Sequence, residues 1–113
     1  MMTSNFARAA KHPNAVAISR GVPGWFKGRR YEDLAPTREM LSMPPSEYEP
    51  RYAEILAALD ARQVWCDLGE SAILLCWEAP GEPCHRRTVA RWLEEQLGVS
   101  VPEMDATLDL FQP

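Results

Sequence analysis

Between residues 74 and 87 the chain reads LLCWEAPGEPCHRR, so that two thiols, an imidazole, carboxylates and two guanidiniums share one short stretch. These are the groups of nucleophilic and acid–base chemistry. Cys84 falls where the pattern predicts the start of a helix. The dipole of a helix N-terminus, helped by nearby cations, lowers a thiol's pKa and enriches the thiolate. His85, with an ordinary pKa close to neutrality, is suited to passing a proton. Glu78 could act as a base or orient an arginine. Arg86, and Arg20 further upstream, could bind a phosphate or carboxylate through paired N–H groups. Adjacent helical residues point about 100° apart, so the textual adjacency of Cys84 and His85 does not by itself make a dyad.

Each position also has a plainer account. Cys76 ends an apolar run, where a cysteine packs as a small hydrophobe, and Cys66 stands alone. His85 serves equally well as a polar brace to a neighbouring loop. The three cysteines and His85 are zinc-ligand types, but their spacing, C-x9-C-x7-C-H, lacks the C-x2–4-C knuckle of structural sites. No metal site is therefore expected. An odd number of cysteines at low density favours reduced thiols and predicts no structural disulfide. The expected catalytic set is Cys84, His85 and Glu78, and the expected ligand-binding set is Ser19, Arg20, Cys76 and Arg86. No cofactor is indicated.

The elements that must position these groups can be read from the apolar pattern. Residues 72–77 are apolar at six consecutive positions, as in a central strand covered on both faces. Residues 15–18 form a shorter run of the same kind between a Pro-Asn turn signal and Gly21. Tyr48, Tyr52, Ile55, Leu56 and Leu59 recur with helical spacing, which predicts a helix over 46–61 opened by a Ser46–Glu49 capping box or, because of Pro50, a turn later. Residues 62–70 add a short helical turn stopped near Gly69, and 83–97 a second helix stopped by Gly98. Residues 99–104 suit a third short strand.

Alternating strands and helices predict an α/β fold: a small single domain over 1–113 with a mainly parallel sheet flanked by helices in Rossmann-like layers. Residues 1–13 and 105–113 are candidates for flexible or peripheral tails. The long stretch 21–45, rich in turn formers, is a functional or pinned loop. In such sheets ligands gather beyond the carboxyl ends of the strands. Arg20 leaves one strand end there, Cys76 leaves another, and Cys84 to Arg86 open the helix that follows.

The composition is ordinary for a folded protein, with 46% hydrophobic and 25% charged residues. No run approaches the roughly 18 to 20 apolar residues of a membrane span, and the first residues lack a secretory core. A cytoplasmic protein is expected. The net charge is −4. Residues 1–38 hold seven Lys or Arg against two acids, which gives +5 and leaves −9 for the remainder. This is an acidic molecule with one basic end, suited to a local anion-attracting face.

The stretch LLCWEAPGEPCHRRTVARWL resembles the family catalogued as domain of unknown function 488. Members carry a strand ending in Leu-Leu-Cys-x-Glu and, after a short loop, a Cys-His-Arg triplet opening a helix. Cys76 and Glu78 match the first part; Cys84, His85 and Arg86 match the second. The segment ISRGVPGWFKGRRYEDLAPTREML resembles short-form members in its Ile-Ser-Arg strand end and in Leu34, Ala35 and Pro36. The resemblance spans most of residues 15–97. It implies a compact α/β fold with the matched residues around a common cleft, and it supplies no reaction.

The leading expectation is an anion-binding cleft, for a phosphate or nucleotide-like small molecule, with hydrolase or transferase activity open. The alternative is a noncatalytic module that contacts nucleic acid or a protein through the basic aromatic loop 25–31, where Trp25, Phe26 and Tyr31 interleave with Lys27, Arg29 and Arg30. A homodimer formed through exposed aromatics is a third reading.

Overall fold

The computed structural model describes residues 1–77 and 85–104. Four parallel strands, β1 (Met2–Asn5), β2 (Ala15–Ala17), β3 (Arg29–Arg30) and β4 (Ile73–Cys76), form one sheet in the order β1-β4-β2-β3. The helices are α1 (Phe6–Ala9), α2 (Pro45–Ala57), α3 (Ala61–Leu68) and α4 (His85–Leu97), with short 3-10 turns at Glu32–Leu34 and Glu39–Ser42. The fold is a small α/β domain. No helix among the described residues is long and apolar enough to cross a membrane.

The alternation of a pleated strand sorts the core into two layers. Ala15, Ala17, Ile73 and Leu75 pack with Phe6 and Ala9 on the α1 side. Val16, Ile18 and Leu74 pack with Tyr52, Val64, Val89 and Leu93 on the side of the longer helices. Because β4 lies inside the sheet with both faces covered, every one of its residues is buried. Complete burial of Leu74 and Leu75 contributes about 2 kcal/mol each by transfer alone.

Strands β2 and β4 are parallel neighbours with Val16 beside Leu74 and Ala17 beside Leu75, and Ile18 N–H extends the ladder to the Leu75 carbonyl. The carboxyl ends of both strands therefore open on one edge of the sheet. Asp60 caps α3 by accepting from the N–H groups of Arg62 and Gln63. Gly69 and Gly98 follow α3 and α4 with positive φ of 89° and 67°, a conformation that glycine adopts without steric cost.

Three features depart from the sequence reading. Residues 1–13 hold β1 and α1 rather than a tail, and Thr3, Ser4 and Asn5 are buried. Residues 99–104 make an isolated bridge, Thr3 with Glu103, instead of a strand: Thr3 N–H donates to Pro102 and Met104 N–H to Thr3. The Ser46 capping box is absent. Helix α2 begins at Pro45, whose missing N–H costs nothing in a first turn, and its cap residue, Pro44, offers no side-chain bond.

Candidate functional site

Two loops meet at the carboxyl edge. After β2 the chain turns at Ser19, whose hydroxyl donates to the Gly21 carbonyl. The indole Nε1 of Trp77, just past β4, donates to that same carbonyl at 2.9 Å. Arg30 Nη2 donates to the Arg20 carbonyl, also at 2.9 Å. The backbone on either side of Arg20 is thus tied to β4 and to β3, while its guanidinium is exposed and makes no hydrogen bond or ion pair among the described residues.

His85 and Arg86 open α4 directly opposite. The His85 ring is buried, with Nε2 2.8 Å from the Ile18 carbonyl and its edge against the Tyr52 ring at a centroid distance of 5.4 Å. A carbonyl only accepts, so Nε2 carries the proton in this contact. Tyr52 is held in turn by its hydroxyl, which donates to the Leu34 carbonyl; burial, then the nearby Tyr48, pushes that phenol's pKa well above its ordinary value.

Arg86 is 1% exposed. Its Nε and Nη2 donate to the Glu103 carboxylate, and Nη1 lies 3.0 Å from the Cys76 sulfur. Arg87 donates to Thr3 Oγ1 and to the Val101 carbonyl, and Thr3 Oγ1 donates to Glu103. The first turn of α4 holds His85, Arg86 and Arg87 and no acid, so three basic residues face the positive end of its dipole. Glu103 supplies the compensating charge. Burial works to raise its carboxyl pKa. Hydrogen bonds from Arg86 and Thr3, with the charges of Arg86 and Arg87, outweigh burial and hold the group below the ordinary range.

Between these loops lies a cleft of about 720 Å³. It is lined by Ser19, Arg20, Cys76, His85 and Arg86, which are the expected site residues that fall among the described ones. Glu78 and Cys84 lie outside the described residues. Four arginines (20, 86, 87 and 91) face two glutamates (49 and 103) around the cleft, an excess of positive charge on a chain whose net charge is −4. Arg91 is exposed and, like Arg20, unpaired among the described residues. The remaining wall is apolar, including Met43, Tyr48 and exposed Leu41.

The expectations for individual residues need adjustment. Arg86 has its donors committed to Glu103 and Cys76, so the exposed cations of the cleft are Arg20 and Arg91. Cys76 is buried and disulfide-bonded, whereas Cys66 is an exposed free thiol, which corrects the expectation of no disulfide. An odd count requires only that one thiol be left over. Arg91, Arg87 and Glu103 were not singled out from sequence. Arg91 had a legible signal, since it lies four residues beyond Arg87 and so on the same face of the helix; Glu103 had none, because its role depends on a segment folding back beside β1. Among the described residues no group of three or more His, Cys, Asp or Glu is arranged to hold a metal ion.

The loop carrying Trp25, Phe26 and Tyr31 is pinned to the fold. Arg29 donates to the carbonyls of Asp67 and Leu68 at the C-terminal end of α3, where the dipole favours a cation. The Tyr31 hydroxyl donates to Asp67 at 2.7 Å, and Arg30 pairs with Glu32 at 3.7 Å. Phe26 meets Phe6 edge to face, with ring centroids 5.3 Å apart. Trp25 remains exposed.

No family model matches the chain, and no curated protein or solved structure shows significant similarity to it.

Proposed function

We propose that the cleft binds a small organic anion of the phosphate or nucleotide-like class, and that the protein is a hydrolase or transferase acting on it. The observation that carries this reading is the convergence of Arg20, from the end of β2, with His85 and Arg86, from the start of α4, on one solvent-open cavity with excess positive charge. Arg20 and Arg91 supply the cations for the anion. Arg86 and Glu103 hold the first turn of α4 in place, and the apolar wall beside Tyr48 and Leu41 accommodates the uncharged part of the ligand. Within this proposal His85 transfers a proton, Glu78 orients it, and Cys84 is the nucleophile once the protein is reduced. The last two roles rest on the sequence pattern, as does membership of the domain of unknown function 488 family, proposed from the Cys76, Glu78, Cys84, His85 and Arg86 signature.

Calorimetric titration with adenosine 5′-monophosphate and with inorganic phosphate tests the binding step. Saturable binding that weakens about tenfold or more in Arg20→Ala, equivalent to about 1.4 kcal/mol, is the expected result. Unchanged affinity in Arg20→Ala, or no binding at low ionic strength, overturns the proposal.

A further inference from the structure

The cleft does not end at Arg20. A second depression of about 530 Å³ shares Arg20, Gly21 and Leu41 with it and is bounded beyond them by Glu32, Ala35 and Arg38. The two depressions, or lobes, therefore adjoin, with Arg20, Gly21 and Leu41 in the wall common to both. Arg38 is exposed and, like Arg20, makes no side-chain hydrogen bond or ion pair among the described residues. Glu32, the one acid of the second lobe, is already paired with Arg30. Leu41, 62% exposed, lies in the wall common to both lobes. A large apolar side chain left in water between unpaired cations is the pattern of a surface that receives a ring flanked by anionic groups.

We propose that the two adjoining lobes take a ligand carrying two separated phosphate groups on a nucleoside-like body, that is, a nucleoside bisphosphate or a phosphorylated dinucleotide rather than a monophosphate. One phosphate lies in the main lobe between Arg20 and Arg91, the other in the second lobe between Arg20 and Arg38, and the body crosses Leu41. This inference rests on the anion-binding reading of the main cleft and adds to it the second lobe and the number of charges. Guanidinium groups suit the task because each offers paired N–H donors to phosphate oxygens, and a ligand that engages both lobes gains the second contact without a second loss of translational freedom.

The test is calorimetry on the full chain at fixed low ionic strength with three probes: adenosine 5′-monophosphate, adenosine 3′,5′-bisphosphate and a 5′-phosphorylated dinucleotide. The two longer probes separate their phosphates by different lengths. At least one of them is expected to bind about tenfold tighter than the monophosphate, the equivalent of one well-formed contact. Arg38→Ala is expected to abolish that advantage and to leave the monophosphate dissociation constant within about twofold, whereas Arg20→Ala weakens all three. Equal affinities on the wild type, or an advantage that survives Arg38→Ala, overturns the second lobe while leaving the main cleft intact. Failure of every probe to bind overturns the anion-binding reading and this one with it. Thermal melting of Arg38→Ala, a change at an exposed side chain, checks that the variant is folded.

Discussion

Arg86 closes its guanidinium on the Glu103 carboxylate across 17 residues of sequence, with Nη2 2.8 Å from Oε2 and Nε 3.0 Å from Oε1. The arginine is almost completely buried; the glutamate side chain keeps 24% of its surface. The pair joins the start of α4 to the segment beside β1, and so fixes one wall of the cleft.

Removing one partner of such a pair leaves the other as an uncompensated charge. Glu103→Ala is expected to lower unfolding free energy by about 3 kcal/mol, the lower end of the range for buried pairs because the carboxylate is partly solvated. The pH dependence has a definite sign. A carboxyl group whose pKa is depressed by folding adds stability above its unfolded pKa, and that increment is lost as the pH falls through the depressed native value. Urea unfolding at a series of acidic pH values should show a shallower decline for Glu103→Gln than for the wild type. Identical slopes would mean that the carboxylate does not do this.

Much of this architecture is legible in the sequence because it is written in local patterns. The apolar runs of β2 and β4 and the periodicity of α2 and α4 mark elements that bury their own side chains. Parallel strands must open their carboxyl ends on one edge, so Arg20 and His85 could be brought together from chain order alone. Strand β1 is different. Its MTSN sequence carries polar residues that are buried only because distant groups satisfy them, as Glu103 and Arg87 do for Thr3. The roles of Arg29 and Tyr31 were hidden for the same reason: their partners lie at the end of α3, nearly forty residues away.

Gly28 is a position where a side chain has no room. A Cβ there would stand 2.5 Å from Phe26 Cζ and 2.9 Å from Cε1, and that ring is already engaged with Phe6. Gly28→Ala is therefore expected to displace Phe26 and to cost about 1 to 2 kcal/mol in chemical denaturation. Gly24→Ala meets nothing within 4 Å and should stay within about 0.5 kcal/mol of the wild type. Combining Gly28→Ala with Phe26→Leu should shrink the penalty, since the clashing atoms are gone; an undiminished penalty would point to the backbone instead.

Cysteine reactivity should divide by position. In the folded, unreduced protein Cys66 is exposed and free, so a maleimide reagent should modify it. Cys76 is disulfide-bonded and fully buried and should remain unmodified until the chain is both reduced and unfolded. Peptide mass mapping reads the two sites separately. Modification of Cys76 in the native protein at a rate comparable to Cys66 would contradict this arrangement.

The loop 25–31 offers a direct contest between bracing and binding. Arg29 donates to two carbonyls at the end of α3, and Tyr31 to Asp67, whose carboxyl is held below its ordinary pKa by hydrogen bonds from Tyr31 and then Gln63. If these contacts brace the loop, Arg29→Ala should lower stability by about 1 to 2 kcal/mol, as expected for charge-assisted bonds at a partly solvated site, while exposed Lys27→Ala should be neutral. If the loop instead grips a nucleic-acid backbone, both changes should weaken oligonucleotide binding and each should reduce the salt dependence of log affinity by about one unit. Bracing leaves Arg29 no spare donor pair for phosphate without releasing α3, so the expected outcome is a stability loss confined to Arg29→Ala and a salt slope that neither substitution changes. A slope that falls with both variants, at unchanged stability, would return the loop to the role of a binding surface.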